Sequence, residues 1–482
     1  MLLRHLYNDV LAQASYLVGC VATGEALVVD PNRDIDQYVA LAAREGLRVV
    51  AVTETHIHAD YVSGARELAA RTGARLYLSA EGPAEWRYGY ATEAGATLVR
   101  EGDRFMVGNI RVEVWHTPGH TPEHLSFLVT DTAGADAPMG IFTGDFVFVG
   151  DVGRPDLLER AAGYADTMEA GARDLFRSLR RFRTLPEWVQ VWPGHGAGSA
   201  CGKALGAVPQ STVGYETRFN WALGLADERA FVEAVLAGQP EPPAYFARMK
   251  RINKEGPPPV ASLARPAAWG PGRLLAERAA GTTIIDTRPA EMFAAGAIPG
   301  TINIPAGRSF LTWAGWLVQY DRPFALIADE EALPEVVSHL RLIGLDNVAG
   351  YWAPEAIDAW AGEHRELLTI ARIDARGLRD LTERDEVAII DVRGASEYAA
   401  GHIPGSRNVP LGYLAGRIDE IPATGQVVVH CESGVRSAIA ASLLAAQGRQ
   451  GVRDLAGGLD AWRKAGMPLE RAGDAASLAL AR

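Results

Sequence analysis

Residues 55–64 read THIHADYVSG, and they follow a strand-like run, LRVVAVTE. How these ten residues are read decides the fold of the N-terminal half. His56, His58 and Asp60 alternate, and Tyr61 stands where a metal motif of this shape would most often carry one more histidine. Three further positions repeat the theme: His120 in HTPGHT, Asp145 in FTGDF and His195 in WPGHG. Each closes a β-rich run, respectively IRVEVWHT, GIFTGD and VQVWPG. A lone histidine is most often a satisfied structural residue. Four strand-end positions beside glycine or proline point instead to one shared metal site.

The chain has 482 residues, too many for one ordinary core, and length alone suggests about three domains. With 48% hydrophobic and 22% charged residues it has a soluble globular composition. Its net charge of −12 argues against a nucleic-acid or anionic-membrane surface, so an anionic substrate needs a local positive site. No apolar run approaches the roughly 20 residues that span a bilayer. The start, MLLRHLYNDVLAQASYL, is broken by Asn8, Asp9 and Gln13 and lacks a signal-peptide core. With only Cys20, Cys201 and Cys431 there is no disulfide framework, and a cytoplasmic location with free thiols is expected. Cys20, in SYLVGCVATGEALVVD, reads as a core strand residue.

Residues 238–272, GQPEPPAYFARMKRINKEGPPPVASLARPAAWGPG, carry the prolines and glycines of a connector or docking segment. Beyond them the chain repeats itself. TIIDTRPAEMFAAGAIPGTINIPAG from Thr283 matches AIIDVRGASEYAAGHIPGSRNVPLG from Ala388, which predicts two copies of one α/β unit.

THxHxD, TPGH, TGD and PGH, in that order over about residues 1–230, resemble the metallo-β-lactamase fold. That resemblance implies an αββα sandwich with metal at one edge of its two sheets. In dinuclear members the histidine after the aspartate helps to hold a second metal. Here it is Tyr61, and a neutral phenol with a pKa of about 10 is a poor zinc ligand. Two imidazoles and a carboxylate around one metal suit non-haem Fe(II) chemistry. Within the fold the persulfide dioxygenases look like the match. That resemblance implies one mononuclear Fe(II) held by His56, His120 and Asp145. His58, Asp60 and His195 then orient ligands or bound water, and Tyr61 marks a site where no second metal is wanted. GDVGRPDL, residues 150–157, resembles the same family and places Arg154 and Asp156 at the substrate end, unless they form a structural pair. Cys201, in PGHGAGSACGK, six residues past His195, is either a small buried thiol or, on the substrate-binding side, a thiol able to accept sulfane sulfur near the iron.

VVVHCESGVRSAIAASLLAAQG delivers Cys431 from a strand into a six-residue loop, with a helix starting at about Ser437. Loop amides and the helix N-terminus would favour a thiolate and then an anionic persulfide, with Arg436 adding positive charge. The loop, with DVRGASEYAAGHIPGSRNVP before it and LAGGLDAWRKAGMPLE after it, resembles a rhodanese. That implies Cys431 as sulfur carrier, Arg436 as its partner, and Glu432, Ser433, Gly434 and Val435 as the persulfide cradle. The earlier copy reads ALIADEEALPEVV at that place, with Asp329, Glu330 and Glu331 and no cysteine. It is expected to be an inactive rhodanese-like spacer, docking surface or dimer contact.

The expected architecture is a multidomain α/β chain: the αββα sandwich over 1–237, the connector, two rhodanese-like units with parallel sheets over 273–362 and 366–470, and a tail over 471–482. The expected activity is bifunctional sulfide detoxification. Fe(II) and O2 would oxidise a thiol persulfide to sulfite, and Cys431 would exchange sulfur to give thiosulfate. The carrier thiol is left open among glutathione, coenzyme A, bacillithiol and similar species. A homo-oligomer is expected. The alternatives are a zinc thioester hydrolase of the glyoxalase II type and a non-catalytic sulfur carrier or sensor.

Overall fold

A computed structural model describes residues 1–160, 167–239 and 241–471. Of the expected tail 471–482, all but Arg471 lies outside the described residues. The chain divides into two compact units, Met1–Leu263 with Ser338–Gly344, and Ala264–Val337 with Leu345–Arg482.

The first unit is built on two six-stranded sheets. One runs in chain order through Leu2–Asn8, Gln13–Cys20, Glu25–Val29, Arg48–Thr53, Arg75–Ser79 and Thr97–Val99. The other runs Ser211–Thr212, Gln190–Pro193, Gly140–Gly144, Leu125–Asp131, Ile110–His116 and Arg104–Val107. Tyr16, Val18, Leu27 and Val29 of the first sheet pack with Val112, Phe127, Phe142 and Trp192 of the second to form the inter-sheet core. Helices Asp36–Arg44 and Ala65–Thr72 place Tyr38, Leu41 and Leu68 in the core outside the first sheet. Helices Thr167–Phe182 and Glu228–Leu236 place Leu175, Phe182 and Phe231 in the core outside the second. The layers are therefore α, β, β, α. Covering both faces explains why Gln13–Cys20 is buried along its whole length, without polar alternation.

The 238–272 stretch differs from the expected connector. Up to Leu263 it belongs to the first unit, and it holds a helix, Phe246–Glu255, that buries Phe246, Met249 and Asn253. Its prolines flank the helix rather than replace it, so composition alone masked a packed element.

The second unit contains two five-stranded parallel sheets with the same strand order. One runs Ala267–Ala268, Val348–Trp352, Phe324–Ile327, Thr283–Asp286, Ile302–Asn303. The other runs Ala371–Ile373, Val452–Leu455, Gln426–His430, Val387–Asp391, Arg407–Asn408. The two copies belong to one compact unit rather than two. The Asn303 amide donates to Ser442 Oγ at 2.9 Å, and the Trp316 ring lies edge-on to Tyr413 at 5.3 Å. No helix among the described residues is long and apolar enough to cross a membrane.

Candidate functional site

All four histidine and aspartate motifs arrive at one corner because each follows a strand of the sandwich. His56, His58 and Asp60 follow Arg48–Thr53, His120 lies between Ile110–His116 and Leu125–Asp131, Asp145 follows Gly140–Gly144, and His195 follows Gln190–Pro193. The turn at Gly144 has φ +48, a left-handed conformation that suits glycine, and a Cβ there would meet the Thr55 side chain and His124 Nε2. A Cβ at Gly153 would run into the Asp145 carbonyl. These two glycines let the loops close on the carboxylate.

One ligand atom each from His56, His120 and Asp145 lies within 4.8 Å of the others, and all three residues are buried. The Nε2 atoms of His56 and His120 stand 3.9 and 3.5 Å from Asp145 Oδ2. The outer ring nitrogens are already engaged: His120 Nδ1 with the Arg154 carbonyl at 2.9 Å, His56 Nδ1 with Thr55 Oγ1 at 3.0 Å. That fixes both rings with Nε2 turned inward. Both oxygens of Asp145 are buried without a hydrogen-bond partner. An unpaired buried carboxylate is costly, so this donor set fits a metal cation well. Burial pushes the Asp145 carboxyl up to about 6, opposed by His195. Burial and neighbouring imidazoles pull His56 well down, and burial pulls His120 down to about 3 against the Arg154 carbonyl. Both rings are therefore neutral at physiological pH, the form that binds a metal.

His58 does not join this triad. Its Nε2 lies 3.1 Å from Asp30 Oδ1; burial works against its charge, but Asp30 and other carboxylates push it up to about 9. Tyr61 packs its ring on His58 at 4.5 Å and donates its hydroxyl to the Asp30 carbonyl at 3.3 Å. Burial, with Asp30 beside it, holds that phenol well above its usual range, so it stays protonated.

Asp60, His195 and Cys201 form a second buried group with metal-ligating atoms within 4.8 Å of one another. His195 Nε2 stands 3.3 Å from Asp60 Oδ2 and 3.4 Å from Asp145 Oδ1, so the two groups meet at Asp145. Burial, then Asp145 and Asp60, hold the Cys201 thiol well above its ordinary value. Its burial makes it a protonated thiol in the absence of a cation.

Arg154 and Asp156, expected at the substrate end, are taken up by each other. Arg154 donates to both Asp156 oxygens at 2.7 Å and to the Ala200 carbonyl at 3.2 Å, and both side chains are fully buried. They fix the loop that carries Cys201.

The sequence reading missed several supports. His124 accepts the Asp145 amide at 3.2 Å and stacks on His56; the signal was present as the third histidine of HTPGHTPEH. Asn253 donates to the His58 and Tyr61 carbonyls at 2.8 and 2.7 Å and accepts the Ser63 amide at 2.9 Å. It clamps the THIHADYVSG turn from 190 residues away, and no local signal announces it.

In the second unit the strand Gln426–His430 ends at Cys431, and the helix Val435–Ala446 begins two residues before the expected start. Gly434 sits at φ +107, and its amide donates to Cys431 Sγ at 3.1 Å. Ser437 Oγ lies 3.7 Å from the same sulfur. Arg436 does not stand as a lone positive charge: Glu397 takes it in a two-point pair at 2.7 and 2.8 Å. Glu432 is gripped by Arg393 at 2.8 Å and by Arg463, which holds the loop's shape. Ser433, Gly434 and Val435, expected in the cradle, line a cavity of about 190 Å³.

Residues 8–195 match the metallo-beta-lactamase superfamily and residues 374–465 match the rhodanese-like domain. A crystal structure of a metallo-beta-lactamase from Staphylococcus aureus subsp. aureus COL is 42% identical, covers 73% of this chain and 99% of its own, and superposes with a TM-score of 0.66. A hydroxyacylglutathione hydrolase of Methylobacterium nodulans is 30% identical over 42% of this chain and 80% of its own length. The mitochondrial persulfide dioxygenase ETHE1 of Bos taurus is 28% identical over 40% of this chain and 68% of its own. Other curated relatives are matched over 51% to 72% of their length. The fold, the His–His–Asp corner and these matches agree: the chain belongs to the metallo-beta-lactamase superfamily and carries a C-terminal rhodanese-like domain.

Proposed function

We propose that this chain oxidises low-molecular-weight thiol persulfides with O2 at one mononuclear Fe(II) and exchanges sulfur at Cys431. The overall reaction is R–S–SH + O2 + H2O → R–SH + SO3²⁻ + 2H⁺. The observation that carries the reading is the buried His56–His120–Asp145 triad, with both Nε2 atoms turned toward an unpartnered carboxylate. A bound Fe(II) would supply open positions for a sulfur ligand and a gas molecule side by side. The chain itself does the holding: the Arg154 carbonyl and Thr55 hydroxyl fix the imidazoles, His124 receives the Asp145 amide, and Asn253 ties the His58–Ser63 turn. Sulfite leaving this corner is an acceptor for the sulfur carried by Cys431, which couples the two chemistries. The similarity to a persulfide dioxygenase and the presence of a rhodanese-like domain support this pairing. The middle repeat we read as a rhodanese-like copy without a sulfur carrier.

The experiment is anaerobic purification, metal analysis and an oxygen electrode. About one iron per chain and persulfide-dependent uptake are expected, and uptake that survives His120→Ala removes the reading. Protons compete with the metal at Asp145, so affinity should fall about tenfold per pH unit below about 6. The raised carboxyl has the opposite effect on the metal-free fold, which gains stability as pH falls through that value.

A second reading, a dinuclear hydrolase, is favoured by one observation: Asp60, His195 and Cys201 adjoin the triad through Asp145. Two metals per chain, with thioester turnover unchanged by removing oxygen, would select it.

A further inference from the structure

A cavity of about 280 Å³ lies in the outer helix layer of the first unit, and none of the chemistry above uses it. Its floor is apolar. Phe176 and Leu179 come from the helix Thr167–Phe182, and Leu223 and Leu225 from the segment between the helices Val213–Phe219 and Glu228–Leu236. These four side chains belong to the core packed outside the second sheet or lean against it, so the floor is held rigidly. Its charged lining is Arg180 and Arg183, and among the described residues no carboxylate lines it.

The other arginines of this helix are treated differently. Arg173 pairs with Glu169 and Glu228, Arg177 with Asp174, and Arg181 with Glu101. Arg180 makes no side-chain hydrogen bond or ion pair among the described residues, and its guanidinium carbon lies 5.9 Å from the centre of the Phe176 ring. The Arg183 side chain donates only to the Leu223 carbonyl, at 3.3 Å. Asp227, the next residue along the cavity wall, is engaged elsewhere: it caps the following helix by accepting the Ala230 amide at 2.8 Å. The helix dipole favours a cation in the last turn, which accounts for Arg180 and Arg181. It accounts neither for Arg183, beyond the helix, nor for the apolar hollow between the two guanidiniums. In a chain of net charge −12, two cations left without an acid around such a hollow form a local positive site.

We propose that this cavity binds a small organic anion, with a carboxylate or phosphate head on Arg180 and Arg183 and a short apolar body on the floor between them. Guanidinium forks match the paired oxygens of either head and are weakly hydrated, so they suit an anion that is partly withdrawn from water. The apolar body gains by covering Phe176, Leu179 and the two leucines. A cation of the same shape is repelled by both arginines, and a bare anion leaves the floor wet. Ligand pockets typically hold about 300–1,000 Å³, so a cavity at the lower end suits a small molecule rather than a protein segment. Such binding involves neither the metal corner nor Cys431, and it stands or falls independently of the reaction proposed above.

The test is isothermal titration calorimetry on the full chain with octanoate, octyl phosphate, octylammonium, acetate and inorganic phosphate. Octanoate and octyl phosphate should bind with Kd on the order of 0.1–1 mM, and the tighter of the two identifies the head group. Octylammonium, acetate and inorganic phosphate should each bind at least about tenfold more weakly. Both arginines are exposed, so the double variant Arg180→Gln with Arg183→Gln should fold, and it should lose at least about tenfold in affinity for both octyl anions. The double variant Arg180→Lys with Arg183→Lys keeps the charge and should stay within about threefold of wild type. Octylammonium binding as tightly as octanoate would overturn the proposal, because the floor alone would then be the attraction. Acetate or inorganic phosphate binding as tightly as the octyl anions would overturn it too, as would unchanged octanoate affinity in the double glutamine variant.

Discussion

The two copies of the repeat share a skeleton and differ in one loop. In the first, Arg288 grips Asp286 at 2.7 Å and reaches the Gly296 carbonyl, while Asn303 donates to the Asp286 and Arg288 carbonyls. In the second, Arg393 grips Asp391 at 2.7 Å and reaches the Gly401 carbonyl, and Asn408 donates to the Asp391 and Arg393 carbonyls. Register places Ile327 opposite Asp286 and His430 opposite Asp391, so Ala328 stands where Cys431 stands. By the same count Tyr351 stands where Asp454 does. The comparison teaches that the buried ion pair and its asparagine are architecture, kept in both copies, whereas the copies part at the loop, where only the second carries a cysteine.

The largest effect should come from the loop itself. Cys431→Ser should lower thiosulfate formation at least about a thousandfold, because the proposed function places the carried sulfur on this thiol and the loop holds no second one. Adding Ala328→Cys to that variant should restore nothing, since Asp329, Glu330 and Glu331 replace a cradle of amides and an arginine. A sulfur-transfer assay that detects rescue would break the comparison.

Next in size is the shared skeleton. Arg288→Ala and Arg393→Ala should each destabilise their copy by about 3 kcal/mol, because each leaves a buried aspartate unpaired. Only Arg393→Ala should also slow sulfur transfer, since Arg393 holds Glu432. Denaturant titrations beside activity assays separate the two outcomes.

The smallest effect depends on pH. Asp454 has a raised carboxyl, so its ionisation opposes folding as pH rises through about 6. Asp454→Asn should be more stable than wild type by about 1–2 kcal/mol at pH 7.5, with the advantage gone below about pH 4. The Tyr351 position offers no such carboxyl. Melting temperatures at the two pH values would sharpen this asymmetry between the copies.

Much of this was legible in the chain. The four strand-like runs LRVVAVTE, IRVEVWHT, GIFTGD and VQVWPG form strands, and their ends carry the residues that converge as a metal corner. The metal-type residue pattern was readable because strand periodicity and strand ends are local features. The Arg154–Asp156 motif was visible, but its role was not: whether a charged pair faces a ligand or is buried depends on what packs over it. The connector segment misled for the same reason, since proline content does not report that Met249 and Asn253 find a surface to bury against.

By itself the sequence determined the order of motifs, the repeat, and which copy keeps a cysteine, because these follow from residue identity and spacing. Only the tertiary structure decided that Cys201 joins Asp60 and His195, that Asn253 ties the histidine turn, and that Glu397 occupies Arg436. Those contacts link residues from tens to nearly two hundred positions apart. Their partners are chosen by packing and by the cost of burying unpaired polar groups, which no local pattern encodes.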